Sequence, residues 1–281
     1  MVKSYQKKFK LFANCKYNRN VCLWILSFVL ASCSFQHSSA HSSVEPIQKK
    51  QRPRALENGN FFEKNGYKML YGGLDSTQHF YIDNLELKPE QFHYGIGREA
   101  FPALLKPEFI TVPVADGFWS NEDRFLVAYA GNEVKAYAIK DLIRHEIVND
   151  ELNGQPIMAA YCILADLGAI YERNYGTEVL TFALSGYTYY DSTIWKGVDA
   201  FVLWDRETES LWWPLVGKAV SGELKDVKLL EMDQSHWRDT NWKTVKIEFP
   251  QAKVLKSNQD FERPKVWKKT VDINSIASKF K

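Results

Sequence analysis

The chain has 281 residues, 45% hydrophobic and 25% charged, enough to bury a core without disulfide or metal staples. Its 15 Gly and 10 Pro beside 9 Trp, 14 Tyr and 17 Phe exclude the collagen-like, coiled-coil and disordered classes. The net charge of +2 argues against a nucleic-acid partner and conceals an asymmetry. Lys3, Lys7, Lys8, Lys10, Lys16 and Arg19 stand unopposed by any acid in residues 1–32, and the rest of the chain is mildly acidic.

Those basic residues precede an apolar run from Val21 to Leu30 and then Leu30-Ala31-Ser32-Cys33. A basic region, a short apolar stretch and small residues before a cleavage point predict a secretory signal over 1–32, because a spanning helix needs about 20 apolar residues. Leu-Ala-Ser-Cys resembles the lipobox of bacterial lipoproteins, in which the cysteine carries diacylglycerol and, on its new amino terminus, an acyl chain such as palmitate. The resemblance implies lipidation at Cys33 and a membrane partner reached through that lipid. Ser34, standing where inner-membrane lipoproteins usually have Asp, implies the outer membrane, with the domain in the periplasm. Residues 33–59 read as the lipidated Cys and a flexible tether, where His37 and His41 are solvated linker residues rather than metal ligands.

From residue 60 to 260 the chain reads as one domain with no repeat or linker, and 261–281 as a basic C-terminal tail. Phe109–Val114 is β-branched. Phe125–Ala130 and Val134–Ile139 flank Gly131-Asn132 as a hairpin. Lys140–Val148 is a candidate helix. Pro156–Leu164, entered through Asn153-Gly154, is a continuous apolar run of the kind that forms a central strand buried on both faces. Further strands are expected at Ala169–Glu172, Val179–Leu184, Ala200–Trp204 and Val227–Leu230, and a second helix at Ser235–Trp242 with Ser235 as N-cap. The fold class is therefore α+β, a β-rich single domain of mixed or antiparallel strands with few inserted helices.

The densest polar cluster is His145-Glu146-Ile147-Val148-Asn149-Asp150. It is not a zincin site, which needs a second His four residues after the first, and position 149 is Asn. Base, ligand or helix-end capping all remain open for it. With Cys15 and Cys22 in the signal and Cys33 acylated, Cys162 is the one thiol left to the domain, so no internal disulfide forms there. A reactive Cys162 needs a lowered pKa from a neighbouring His, cation or helix N-terminus, whereas a structural one is simply buried. Ser185 lacks the nucleophile-elbow glycines, since Ala183 and Tyr187 stand at those positions. Asp205–Ser210 is a polar turn that capping or ion pairing explains.

Taken together, His145–Asp150, Tyr161-Cys162-x-Leu164, Leu180-Thr-Phe-x-x-Ser185-Gly186, Asp191-Ser192 and Asp205-Arg-x-Thr-x-Ser-Leu-Trp212 resemble the bacterial family known as domain of unknown function 3179. Pro102-Ala103-Leu104 with Lys106-Pro107 is similar to its N-terminal signature, and the resemblance covers about 95–257. Many members carry Cys-x-x-Cys at this place and some are selenoproteins, which implies a functional role for Cys162. Here position 165 is Ala, so an intramolecular dithiol cycle is excluded and a one-cysteine chemistry remains.

Three functions follow as expectations. In the first, Cys162 is a reactive redox thiol working with a small-molecule or protein thiol partner, His145 is its base, Glu146 or Asp150 orients the imidazole, and Asp166 and Ser185 support them. In the second, Cys162 and His145 hold a soft metal, copper or zinc, without turnover. In the third, the loss of the second Cys leaves a structural or interaction lipoprotein.

Overall fold

The computed structural model describes residues 60–259 together with Ile276 and Phe280. The expected signal, the expected lipidation site Cys33 and the expected tether lie outside the described residues. The described part falls within one compact unit spanning 50–281.

A small meander comes first, β1 (Phe61–Lys64), β2 (Tyr67–Leu70) and β3 (Phe80–Tyr81), followed by β4 (Phe92–Tyr94). Then come β5 (Phe109–Thr111), α1 (Val112–Ala115), β6 (Arg124–Ala130), β7 (Glu133–Ala138) and α2 (Ile139–His145). The centre of the chain forms β8 (Ile147–Leu152), β9 (Gln155–Cys162) and β10 (Leu167–Glu172), then the short pair β11 (Asn174–Tyr175) and β12 (Glu178–Val179). It continues through β13 (Phe182–Tyr189), β14 (Ala200–Asp205), β15 (Leu211–Trp213), β16 (Lys218–Ser221), β17 (Trp237–Asn241), α3 (Trp242–Glu248) and β18 (Lys253–Leu255). The β-rich α+β expectation holds. The ladders are antiparallel except for β18 on β7, which is parallel.

The hairpin expected at Gly131-Asn132 forms, and the turn expected at Asn153-Gly154 closes a second hairpin whose first strand was not expected. Asn153 (φ 49°) and Gly154 (φ 79°) are both left-handed, the requirement of a two-residue type I′ turn between β8 and β9. At the β6–β7 turn Gly131 alone has positive φ (57°), the type II′ pattern. Strand β9 is central in the order β10-β9-β8 and buried from Ile157 to Cys162, as its unbroken apolar run predicts. Two five-stranded sheets, β16-β15-β14-β13-β4 and β17-β6-β7-β18-β5, complete the architecture.

Several expectations are corrected. The strand expected over Phe109–Val114 ends at Thr111, where α1 begins, the one expected over Val179–Leu184 is broken at Leu180-Thr181 between β12 and β13, and the apolar run Pro156–Leu164 leaves the strand after Cys162. The helix placed at 140–148 ends at His145, because Glu146 turns left-handed and the β-branched Ile147-Val148 starts β8. Residues 237–241, expected to be helical, pair with β6, and the helix begins at Trp242 with Asn241 as N-cap accepting from Thr244 N–H. Val227–Leu230 forms no ladder, since the N–H groups of Lys228 and Leu229 donate to the carbonyls of Phe280 and Gly217. Near the C-terminus Ile276 is fully buried in the main core, and Phe280 packs on Tyr175 with ring centroids 5.2 Å apart.

Candidate functional site

The His145–Asp150 segment is held from four directions. His145 Nδ1 donates to the Pro102 carbonyl at 2.8 Å. Residue Leu104 lies parallel to β8, its N–H donating to the Ile147 carbonyl and its carbonyl accepting from Asn149 N–H. The Asn149 side chain exchanges two hydrogen bonds with the main chain of Phe182, acting as a piece of strand that joins β8 to β13. Asp150 is buried, its Oδ1 accepting from Lys135 Nζ at 2.8 Å and its Oδ2 from Tyr137 OH at 2.7 Å. Neither oxygen of Asp150 is turned to His145.

Glu146 is different. It caps α2 at φ 55°, a conformation in which glycine is the comfortable residue and any side chain adds strain. Its side chain is buried, 8% exposed, and its carboxylate makes no hydrogen bond or ion pair among the described residues. Burial alone pushes this carboxyl up to about 7.

Cys162 ends β9, is 1% exposed and belongs to the main core. Strand β15 pairs with β14 only at Leu203 and Trp204, so the Phe201 N–H is left at an open edge and donates to Cys162 Sγ at 3.4 Å. The main-chain N–H groups of Ala165 and Leu164, in the turn after β9, also act on the sulfur. Burial raises the thiol to about 11, the Phe201 and Ala165 N–H groups oppose that rise, the Glu146 charge adds to it, and the Leu164 N–H again opposes it. The thiol is therefore protonated at neutral pH, and no pre-formed thiolate is held there.

The side chains of the remaining candidates are engaged by other partners. Asp166 Oδ1 accepts from Arg124 and from Tyr161 OH. Ser185 sits in a bulge of β13 between Leu184 and Tyr187, its hydroxyl donating to the Val202 carbonyl. Gly186 (φ 85°) is pressed against the backbone of Gly97, where a Cβ would come within 2.1 Å. Ser185 thus shapes a close approach of two backbones rather than presenting a nucleophile.

The segment before Pro102 and the Asp205–Trp212 motif meet in a charged lock that sequence reasoning left unpaired. Arg206 donates from Nε and Nη2 to the two oxygens of Glu99 at 2.8 and 2.6 Å, both side chains buried. Arg98 donates to Glu209 at 2.8 Å and lies 3.6 Å over the Trp204 ring. Asp205 Oδ1 accepts from Thr208 N–H and Oδ2 from Trp212 Nε1, closing the turn. Burial raises Asp205 to about 7 against those hydrogen bonds, which favour its charge. The Gly97-Arg98-Glu99 triplet was the available signal for this lock, but nothing local names its partners.

Among the described residues no group of three or more His, Cys, Asp or Glu side chains is placed to hold a metal ion. Cys162 Sγ accepts from the Phe201 N–H and His145 Nδ1 donates to the Pro102 carbonyl. No described helix is long and apolar enough to cross a membrane. A family model described as a protein of unknown function (DUF3179) matches residues 98–266. No curated protein and no solved structure matches.

Proposed function

We propose, from the premise that this chain belongs to the DUF3179 family, that its domain is a single-cysteine thiol site in which Glu146, not His145, moves the proton. The observation that carries this reading is the Glu146 carboxyl. It is largely buried, has no side-chain hydrogen bond to protein among the described residues and stands in a backbone conformation suited to glycine, on the residue whose carbonyl accepts from the N–H of Tyr161, next to Cys162, and its charge raises the thiol. A residue unfavourable on three local counts points to a role other than stability.

The chemistry suited to a buried thiol is attack on a small hydroperoxide. Ionised Glu146 accepts the thiol proton as Sγ attacks the terminal peroxide oxygen and the O–O bond breaks. The departing oxygen leaves as an alcohol or water, carrying the proton that Glu146 held. Sulfur is oxidised to the sulfenic acid and the peroxide is reduced, and two equivalents of an external thiol return Cys162 to the free thiol through a mixed disulfide. The converging N–H groups of Phe201, Ala165 and Leu164 would stabilise the anionic sulfur passed through on the way.

The test uses full-length protein in which Cys15, Cys22 and Cys33 are Ser, so that Cys162 is the only thiol. Sulfenic acid formation with peroxide is expected to rise with pH around a midpoint near 7, that of Glu146. Glu146→Gln should slow it by about tenfold or more at pH 8 and abolish that midpoint. An unchanged profile in the variant rejects Glu146 as the proton carrier. Oxidation only after unfolding would favour the structural reading, which the 1% exposure of Cys162 supports.

We further place the protein in the cell envelope, anchored through lipid on Cys33 with its domain facing the periplasm. Cys33→Ser is expected to abolish incorporation of radiolabelled palmitate and to release the protein from the membrane fraction. Unchanged labelling would remove the lipoprotein assignment.

A further inference from the structure

Cys162 pairs with Leu167 across the β9–β10 ladder, so residues 163–166 form the turn that closes over the sulfur. That turn is unusual in what faces outward. Ile163 is 49% and Leu164 63% exposed, while the strands leading into and out of it are largely buried. Its inner side supplies the Leu164 and Ala165 N–H groups to Sγ. Its end is fixed by Asp166 (φ 45°), whose Oδ1 accepts from both Arg124 Nη1 at 2.7 Å and Tyr161 OH at 2.8 Å. Arg124 begins β6 and also donates to Asp239 of β17 at 2.6 Å, so the turn is tied to a neighbouring ladder through one guanidinium.

We infer that residues 163–166 are a latched cover over Cys162, with Asp166 as the catch that Arg124 and Tyr161 hold, and that release of the catch uncovers the thiol while the domain stays folded. The inference concerns access to the site assigned above and rests on that reading for its purpose. The physical basis is the contrast in what holds each part. Core strands open only with the domain, whereas a turn with solvent-facing apolar tips, tied by half-exposed ion pairs, belongs to the low end of local stability. Exposed Ile163 and Leu164 give a thiol-bearing partner an apolar handle on the part that must move.

The experiment is alkylation of Cys162 by iodoacetamide at pH 9 under native conditions, in full-length protein with the other three cysteines replaced by Ser. Asp166→Asn keeps a residue that tolerates the left-handed conformation and removes the charge. Tyr161→Phe removes the second donor and keeps the ring. Each is expected to speed labelling by about tenfold with an unchanged denaturation midpoint, since Asp166→Asn removes the charge that strengthens both hydrogen bonds of the catch and Tyr161→Phe removes one of the two. Raising salt to 0.5 M should accelerate wild type and leave Arg124→Gln unaffected. Unchanged labelling in both variants, or rates that simply follow global stability, overturns the cover. The same fold acceleration, measured against the Glu146→Gln parent, is expected in that background, because the carboxyl changes how readily the thiol ionises and the catch changes whether the reagent reaches it. Failure of the acid–base reading is therefore distinguishable from failure of the cover.

Discussion

Arg206→Met is expected to destabilise the domain by about 3–5 kcal/mol, the cost of leaving a buried carboxylate without its partner. Glu99 is fully buried and both of its oxygens face the Arg206 guanidinium, so no water replaces what is lost. The charge pair itself is not the source of that figure. Desolvating both ions offsets most of their attraction, so the double variant Glu99→Gln/Arg206→Met should recover more than half of the single-variant loss. Chemical denaturation of the three variants measures the cycle. A single-variant loss below about 1 kcal/mol, or strict additivity, would mean that the lock is solvated in solution. Its structural consequence is reach, since Glu99 also donates its N–H to the Leu184 carbonyl beside the Ser185-Gly186 bulge. The lock thus ties the loop before Pro102 to β13 and to the turn after β14, and Pro102 in turn receives His145.

How far this was legible in the sequence depends on how local the cause is. The turns at Gly131-Asn132 and Asn153-Gly154 and the buried strand β9 were readable because turn chemistry and the nine-residue apolar run Pro156–Leu164 sit within single windows. Strands β1 to β4 were not, because two to four residues are too few to show alternation. The stretch 235–242 misled because Ser235 mimics an N-cap, while its N–H is spent on an Asp233 turn and the working cap is Asn241. Cys162 and Glu146 were visible as residues of interest, but their relationship was not. It arises from a left-handed Glu that no propensity assigns and from a hairpin that brings the Glu146 carbonyl to Tyr161 N–H at 2.9 Å. The Arg98–Glu209 and Arg206–Glu99 pairs span more than a hundred residues, beyond any pattern a single sequence displays.

Glu146→Gln should make the protein more stable, and only above acidic pH. The carboxyl has an ordinary value of 4.5 and is raised to about 7 by burial, so the folded state binds a proton that the unfolded state has released between those limits. Its contribution to stability is fully present below 4.5 and is lost as pH rises through about 7, where ionised Glu146 costs about 3 kcal/mol. Gln has the same shape and never ionises. Denaturation midpoints of wild type and variant should nearly coincide at pH 4 and separate by most of that amount at pH 8. Asp205 is raised to about 7 as well and has the same sign, so the variant keeps part of the pH dependence. Asp205 cannot be neutralised as cleanly, because Thr208 N–H and Trp212 Nε1 both donate to it, whereas Glu146 has no such donors to orphan. A difference between wild type and Glu146→Gln that is constant from pH 4 to 8 would assign Glu146 an ordinary pKa, and with it would go the proton carrier beside Cys162. A difference that opens with a midpoint between 5 and 7 would establish that the fold holds a destabilising carboxyl against its thiol, and stability surrendered at one buried residue is what a working site demands.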